Sequence, residues 1–131
     1  MHFFVDVEVA AEWLRADDWA NLRTWGRHPN VDDVIERLAE PAALLAALRW
    51  YRANSHPRTF LAPEKELPRI PHPTLGIWGA NDPHLVEEFM TRTAQMVDGA
   101  WRYERIDDAG HWIQIDQPDQ LSALLVDYLS R

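Results

Sequence analysis

Between Pro73 and Trp112 the sequence leaves little room for any arrangement but strand, helix, strand. An apolar run, Thr74-Leu75-Gly76-Ile77-Trp78-Gly79, sits between two prolines (Pro71 and Pro73) and a turn-like Ala80-Asn81-Asp82-Pro83. Short continuous apolar runs of this kind are expected of buried strands in parallel sheets. Leu85, Val86, Phe89, Met90, Thr93, Met96 and Val97 then recur as one helical stripe, with Gly99 as its stop. Trp101 to Ile106 alternates at period two over most of its length, as a half-covered strand does. The stretch closes on Asp107-Asp108-Ala109-Gly110-His111-Trp112. Neighbouring parallel strands are about 5 Å apart, so loops leaving the same ends can bring Asp82 and His111 together.

The first 54 residues read as three helices. Val7 to Trp25 is rich in helix formers and sets Val9, Trp13, Ala16/Ala20 and Trp19 near one side, with Gly26 and Pro29 bracketing its end. Asn30 is placed to cap a second helix carrying Val31, Val34, Ile35 and Leu38. Pro41 starts a third, Pro41 to Asn54, with Leu44, Leu45, Leu48 and Tyr51 on one flank. Three short amphipathic helices are not expected to bury these stripes against one another, so they read as a cap on something larger. Residues 55–73 hold five prolines, Pro57, Pro63, Pro68, Pro71 and Pro73, and no regular period. The expected organisation is therefore a helical segment over 1–56, a proline-rich linker over 57–72 and an α/β part over 73–131. At the far end Gln117-Pro118 opens a last helix with Leu121, Leu124, Leu125, Tyr128 and Leu129 on its apolar face.

Bulk properties narrow the function classes. A net charge of −8 argues against a nucleic-acid partner, which requires a basic face. There is no cysteine, so no disulfide framework, thiolate zinc site or cysteine nucleophile. No apolar run approaches the roughly 20 residues of a membrane span, and the start lacks the basic segment of a signal peptide. A cytoplasmic protein without membrane or nucleic-acid partners is expected.

Two residues are placed to carry chemistry. Asp82 follows an apolar strand, at the carboxyl end where open α/β sheets build their sites. A carboxylate there can hold a histidine in one tautomer and stabilise its imidazolium. The same Asn81-Asp82-Pro83 also reads as a plain turn capping the next helix. His111 follows Gly110 at the end of the next strand and suits a general base. It reads equally as a surface-loop histidine, like His2, His28, His56, His72 and His84. His72, Asp82 and His84 lack the i, i+3 or i, i+4 spacing of common zinc sites, so neither metal nor other cofactor is expected.

The segments PTLGIWGANDPHL and RYERIDDAGHWIQIDQPDQLSALLVDYL resemble the last two strands and C-terminal helix of the α/β-hydrolase family, over residues 73–129. The segments AEWLRADDW and ALRWYRAN resemble the cap of its epoxide-hydrolase-like branch, where a W-Y-R run, here Trp50-Tyr51-Arg52, carries a cap tyrosine. The resemblance implies a partial α/β-hydrolase fold: a helical cap, then the last two parallel strands and the C-terminal helices. In that fold the triad runs nucleophile, acid, histidine along the chain, which makes Asp82 the acid and His111 the histidine. It further implies that Tyr51 donates a hydrogen bond to the oxygen released on ring opening, and that Trp50 and Trp112 contact a small apolar substrate. Tyr51 reads otherwise as one more core aromatic.

The sequence departs from the family where the nucleophile should be. No G-x-S-x-G occurs; Ser55, Ser122 and Ser130 lack flanking glycines, and an aspartate elbow is missing too. Ser55-His56 has nothing to supply an oxyanion hole. The enzyme reading is hydrolysis through a covalent ester in a complete enzyme, with a serine esterase or haloalkane dehalogenase as alternatives. The chain alone is then expected to be inactive. The non-enzymatic reading is an interaction module or half of a split assembly, self-associating or pairing with a missing N-terminal half.

Overall fold

The computed structural model describes residues 2–54 and 67–130. The chain divides into two compact units, Met1–Lys65 and Glu66–Arg131. Residues 55–66, which include Ser55-His56 and most of the expected linker, lie outside the described residues.

The first unit is helical: a 3-10 turn (His2–Val5), α1 (Val7–Gly26), α2 (Val31–Leu38) and α3 (Pro41–Asn54). Asp6 starts α1 by accepting the Val9 amide at 3.3 Å, satisfying one of the donors that a helix start leaves open. Asn30 precedes α2 as expected, but its side chain makes no capping bond.

α1 is not the uninterrupted helix the sequence suggests. Ala16 is extended and Asp17, Asp18 and Trp19 are left-handed, with φ of 51°, 53° and 65°. This break changes the helical phase only beyond it; before it, the buried face is already that of Val7, Ala10, Ala11 and Leu14 rather than of Val9 and Trp13. The buried residues are Val7, Ala10, Ala11, Leu14, Leu22 and Gly26, whereas Val9 and Trp13 of the expected stripe are 47% and 37% exposed. The helix ends on a left-handed Arg27 (φ 43°), whose N–H reaches the Arg23 carbonyl at 3.3 Å, rather than on a left-handed Gly26.

The expectation that these helices cannot bury their stripes on one another is also corrected. Phe4, Val7, Ala10, Ala11, Leu14, Leu22, Leu44 and Leu48 form one buried cluster, with Val34, Ile35, Leu38, Leu45 and Tyr51 packed against it. Phe4 is what the sequence reading left out. Its ring meets Trp25 at 4.7 Å and Tyr51 at 5.4 Å, and the small Ala10 and Ala11 let neighbours approach. Complete burial of a side chain such as Leu44 contributes about 1.5–3 kcal/mol.

The second unit holds β1 (Thr74–Gly79), α4 (Glu87–Arg92), a 3-10 turn (Thr93–Met96), β2 (Trp101–Ile106), α5 (Ile113–Asp116) and α6 (Pro118–Leu129). β1 and β2 pair in parallel from Thr74↔Trp101 to Gly79↔Ile106, and among the described residues they form a two-stranded sheet. Trp78 and Ile106 on the strands, with Ala109 and Val97 beside them, are the buried apolar residues of this unit. The helix between the strands is shorter than its stripe suggests. Val97 leaves it to bridge Ile70, with the Asp98 amide on the Ile70 carbonyl and the Ile70 amide on the Met96 carbonyl, each at 2.8 Å. Leu85, Val86 and Phe89 are exposed, Phe89 by 63%. Pro118 occupies the first turn of α6, as its missing N–H allows. Among the described residues no helix is long and apolar enough to cross a membrane.

Candidate active site

The loop after β1 and the loop after β2 are tied together by their backbones. The Ala80 amide donates to the Ile106 carbonyl and the Asn81 amide to the Ala109 carbonyl, both at 2.9 Å, while Asn81 Nδ2 reaches the Asp107 carbonyl at 2.9 Å. Asp116 Oδ2 accepts the Gly110 amide at 2.8 Å from the other side. The approach is close enough to require glycine at the end of β1. A Cβ on Gly79 would sit 2.1 Å from the Gly110 carbonyl oxygen and 2.9 Å from that of Ala109.

This bracing sets Asp82 against His111. Asp82 Oδ1 accepts the amides of His84 (2.8 Å) and Leu85 (3.1 Å), and Oδ2 lies 2.8 Å from His111 Nδ1. Each carboxylate oxygen thus has its own partners, backbone amides on Oδ1 and an imidazole on Oδ2. Asp82 closes a side-chain turn over Pro83, and it orients a histidine. The turn does not begin a helix, since α4 starts only at Glu87.

The Asp82 side chain is 6% exposed and that of His111 is 35% exposed. Burial alone would push the carboxyl pKa up. The hydrogen bond from His111, the His84 and Leu85 amides and the charge of His111 together outweigh it, so the pKa is lowered from its ordinary value. Asp82 is therefore ionised near neutrality and can only accept. Nδ1 of His111 must then carry the proton, which leaves Nε2 with a free lone pair in the neutral ring. A carboxylate-oriented imidazole with an unprotonated Nε2 is the chemistry of a general base.

Trp112 joins the pair, its ring centroid 5.3 Å from that of His111 at 88°. His84, read from the sequence as a loop histidine, also lies here, its ring 4.9 Å from His111 at 80°. Its position two residues after Asp82 was the available signal, and it becomes meaningful only once the turn over Pro83 is known. Tyr51 and Trp50 belong to the first unit. Tyr51 is half-buried against Phe4 and Trp50, with ring centroids 5.4 and 5.2 Å away, and Trp50 is exposed. His72 donates nothing to a metal cluster, and among the described residues no three histidines, aspartates or glutamates gather to hold an ion.

No protein-family model matches the chain. It is 32% identical to epoxide hydrolase A of Mycobacterium tuberculosis, over 78% of this chain and 38% of that protein. It is 30% identical to human epoxide hydrolase 4, over 76% of this chain and 26% of that protein. The chain belongs to the α/β-hydrolase family. Its relatives put it in the epoxide-hydrolase-like branch. A solved epoxide hydrolase of Bacillus megaterium shares the fold, with a TM-score of 0.67 at 18% identity, over 98% of this chain and 49% of that one. The α/β-hydrolase fold is thus present in part, and the chain spans well under half the length of the curated relatives it matches.

Proposed function

We propose that in a complete enzyme this chain supplies the cap and the acid–base half of an epoxide hydrolase working through a covalent ester. Residues 1–56 form the cap, 57–72 the linker and 73–131 the C-terminal part of the core. A carboxylate nucleophile from outside residues 1–131 attacks an epoxide carbon, the ring C–O bond breaks, and the released oxygen takes a proton from the Tyr51 phenol. A phenol suits this step because it donates a hydrogen bond and does not titrate near pH 7. His111 Nε2 then takes a proton from water as the water oxygen adds to the ester carbonyl. The alcohol leaves with the proton that His111 Nε2 took from water, the second water proton, left on the nucleophile's carboxyl, restores the Tyr51 phenol, and the diol departs with the carboxylate regenerated. Asp82 stays ionised throughout and stabilises the imidazolium. Trp50 and Trp112 contact a small apolar substrate, and a cytoplasmic setting fits a chain without cysteine.

The observation that carries this reading is the 2.8 Å contact of an ionised, buried Asp82 with the Nδ1 of a partly open His111. It predicts that the 131-residue chain alone hydrolyses neither epoxides nor simple esters, because the groups giving most of the acceleration are not in it. Epoxide hydrolysis by the isolated chain, abolished by His111→Ala, would overturn that prediction.

A second reading rests on the exposed Val86 and Phe89 of the second unit and on a sheet that, among the described residues, has one neighbour per strand. Such surfaces seek a partner. Under it the chain is an interaction module or half of a split assembly. Its signature is self-association that disappears when an N-terminal hydrolase half is added.

A further inference from the structure

We infer that His84 is a positioning residue for His111: its imidazole, together with the Trp112 indole, fixes the plane of the His111 ring and thereby aims Nε2. This rests on the general-base reading of His111 proposed above. The hydrogen bond from Nδ1 to Asp82 Oδ2 anchors one corner of the ring at 2.8 Å. That one hydrogen bond is weakened whenever the ring turns out of line with the carboxylate, and the second torsion of histidine is broad. A base must nevertheless lie within hydrogen-bond reach of the proton it removes, so a swing of the distal nitrogen costs rate.

Two rings limit that swing. His84 meets the His111 ring at 4.9 Å and 80°, and Trp112 meets it at 5.3 Å and 88°. Both are edge-to-face arrangements, which aromatic rings favour and which are lost when either plane turns. The turn over Pro83 brings His84 to His111, whereas Trp112 is the next residue in the chain. The His84 amide donates to Asp82 Oδ1, and this holds the His84 backbone beside the same carboxylate that anchors His111. His84 thus braces the acid with its backbone and the base with its side chain. Substituting its side chain leaves the amide in place, so the two contributions separate experimentally.

The test uses the 131-residue chain labelled with nitrogen-15 at histidine, and follows the hydrogen-bonded Nδ1 proton of His111 and the tautomer reported by its ring nitrogens. The signal is assigned by its loss in Asp82→Asn. The expected result is a protected Nδ1 proton in the native chain and in His84→Phe, which keeps a ring. In His84→Ala the proton exchanges with water and its signal broadens or disappears, and the nitrogen shifts move toward a mixture of tautomers. If His84→Ala leaves proton and shifts unchanged while Asp82→Asn removes them, the positioning role is wrong and the Asp82–His111 pair stands. Loss in both His84→Ala and His84→Phe contradicts the ring contact as the cause. A signal indifferent to Asp82→Asn overturns the pair, and the positioning role with it.

Discussion

Asp82 Oδ2 and His111 Nδ1 lie 2.8 Å apart across 29 residues of sequence, each at the carboxyl end of one strand of a parallel pair. The carboxylate is buried and doubly bonded to backbone amides, while the imidazole reaches solvent. That asymmetry fits the proposed roles, in which Asp82 holds a charge and His111 exchanges a proton.

Acid should therefore weaken the chain through Asp82. Its carboxyl is held below the ordinary value, so above about pH 3.9 the group is ionised folded and unfolded, and its stabilisation is fully present. As pH falls below that value the unfolded chain takes up a proton first, and the stabilisation is lost through the lowered folded value. Urea unfolding from about pH 6 to about pH 3 should show Asp82→Asn less stable than the native chain at the upper end. The difference should narrow at the lower end.

Gly79→Ala should disturb the site without touching either of its residues. The new methyl would meet backbone oxygens of Ala109 and Gly110, which cannot rotate away. A cost of about 1–3 kcal/mol is expected, the range for overpacking, together with loss of the protected His111 proton. Gly26→Ala is the control. Its methyl would meet only Leu22 Cδ1 at 3.6 Å, and helix propensity favours alanine. Denaturation midpoints of the two variants should move in opposite directions.

The boundaries that were legible are those marked by proline, glycine or a change of period. Pro41 and Pro118 open α3 and α6 where expected, and the run Thr74 to Gly79 is β1 residue for residue. Asp82 and His111 could be paired because the order strand, loop, helix, strand, loop fixes their common edge. The kink at 16–19 was not legible. Its sequence, Ala16-Asp17-Asp18-Trp19, contains neither glycine nor proline, yet three of the four residues are left-handed. The early end of α4 was hidden for another reason. Val97 fits a helical stripe and a strand bridge equally well, and the contact with Ile70, 27 residues earlier, decides between them. His84 was hidden because sequence spacing says nothing of a turn closed by a side chain.

Tyr103 should titrate far above an ordinary phenol. Burial first, and then its hydrogen bond to Glu87 Oε1 at 2.5 Å and the charge of that carboxylate, push its pKa up to about 12 against a small opposing effect of Arg105. The bond's stabilisation is fully present below the unfolded value near 10 and is lost as pH rises through about 12. Ultraviolet titration of the native chain minus Tyr103→Phe should show one phenol ionising last. Tyr103→Phe should also cost about 1.5–3 kcal/mol at neutral pH, as loss of a bond to a charged group does.

Leu44→Ala should destabilise the helical unit by about 2–5 kcal/mol, because Leu44 is 1% exposed at the centre of its cluster. The urea midpoint reads this directly.

The most direct test of the proposed chemistry is the mass of the protein after brief exposure to an epoxide. The protein is a hybrid joining this chain to the preceding half of an epoxide hydrolase, with His111→Ala beside the unsubstituted form. Ring opening needs no base at His111, whereas hydrolysis of the ester does. The mechanism predicts that His111→Ala accumulates a covalent adduct carrying the whole epoxide mass, with turnover reduced about 10²–10⁴-fold. A His111→Ala hybrid that turns over as fast as the unsubstituted form and holds no adduct would contradict it.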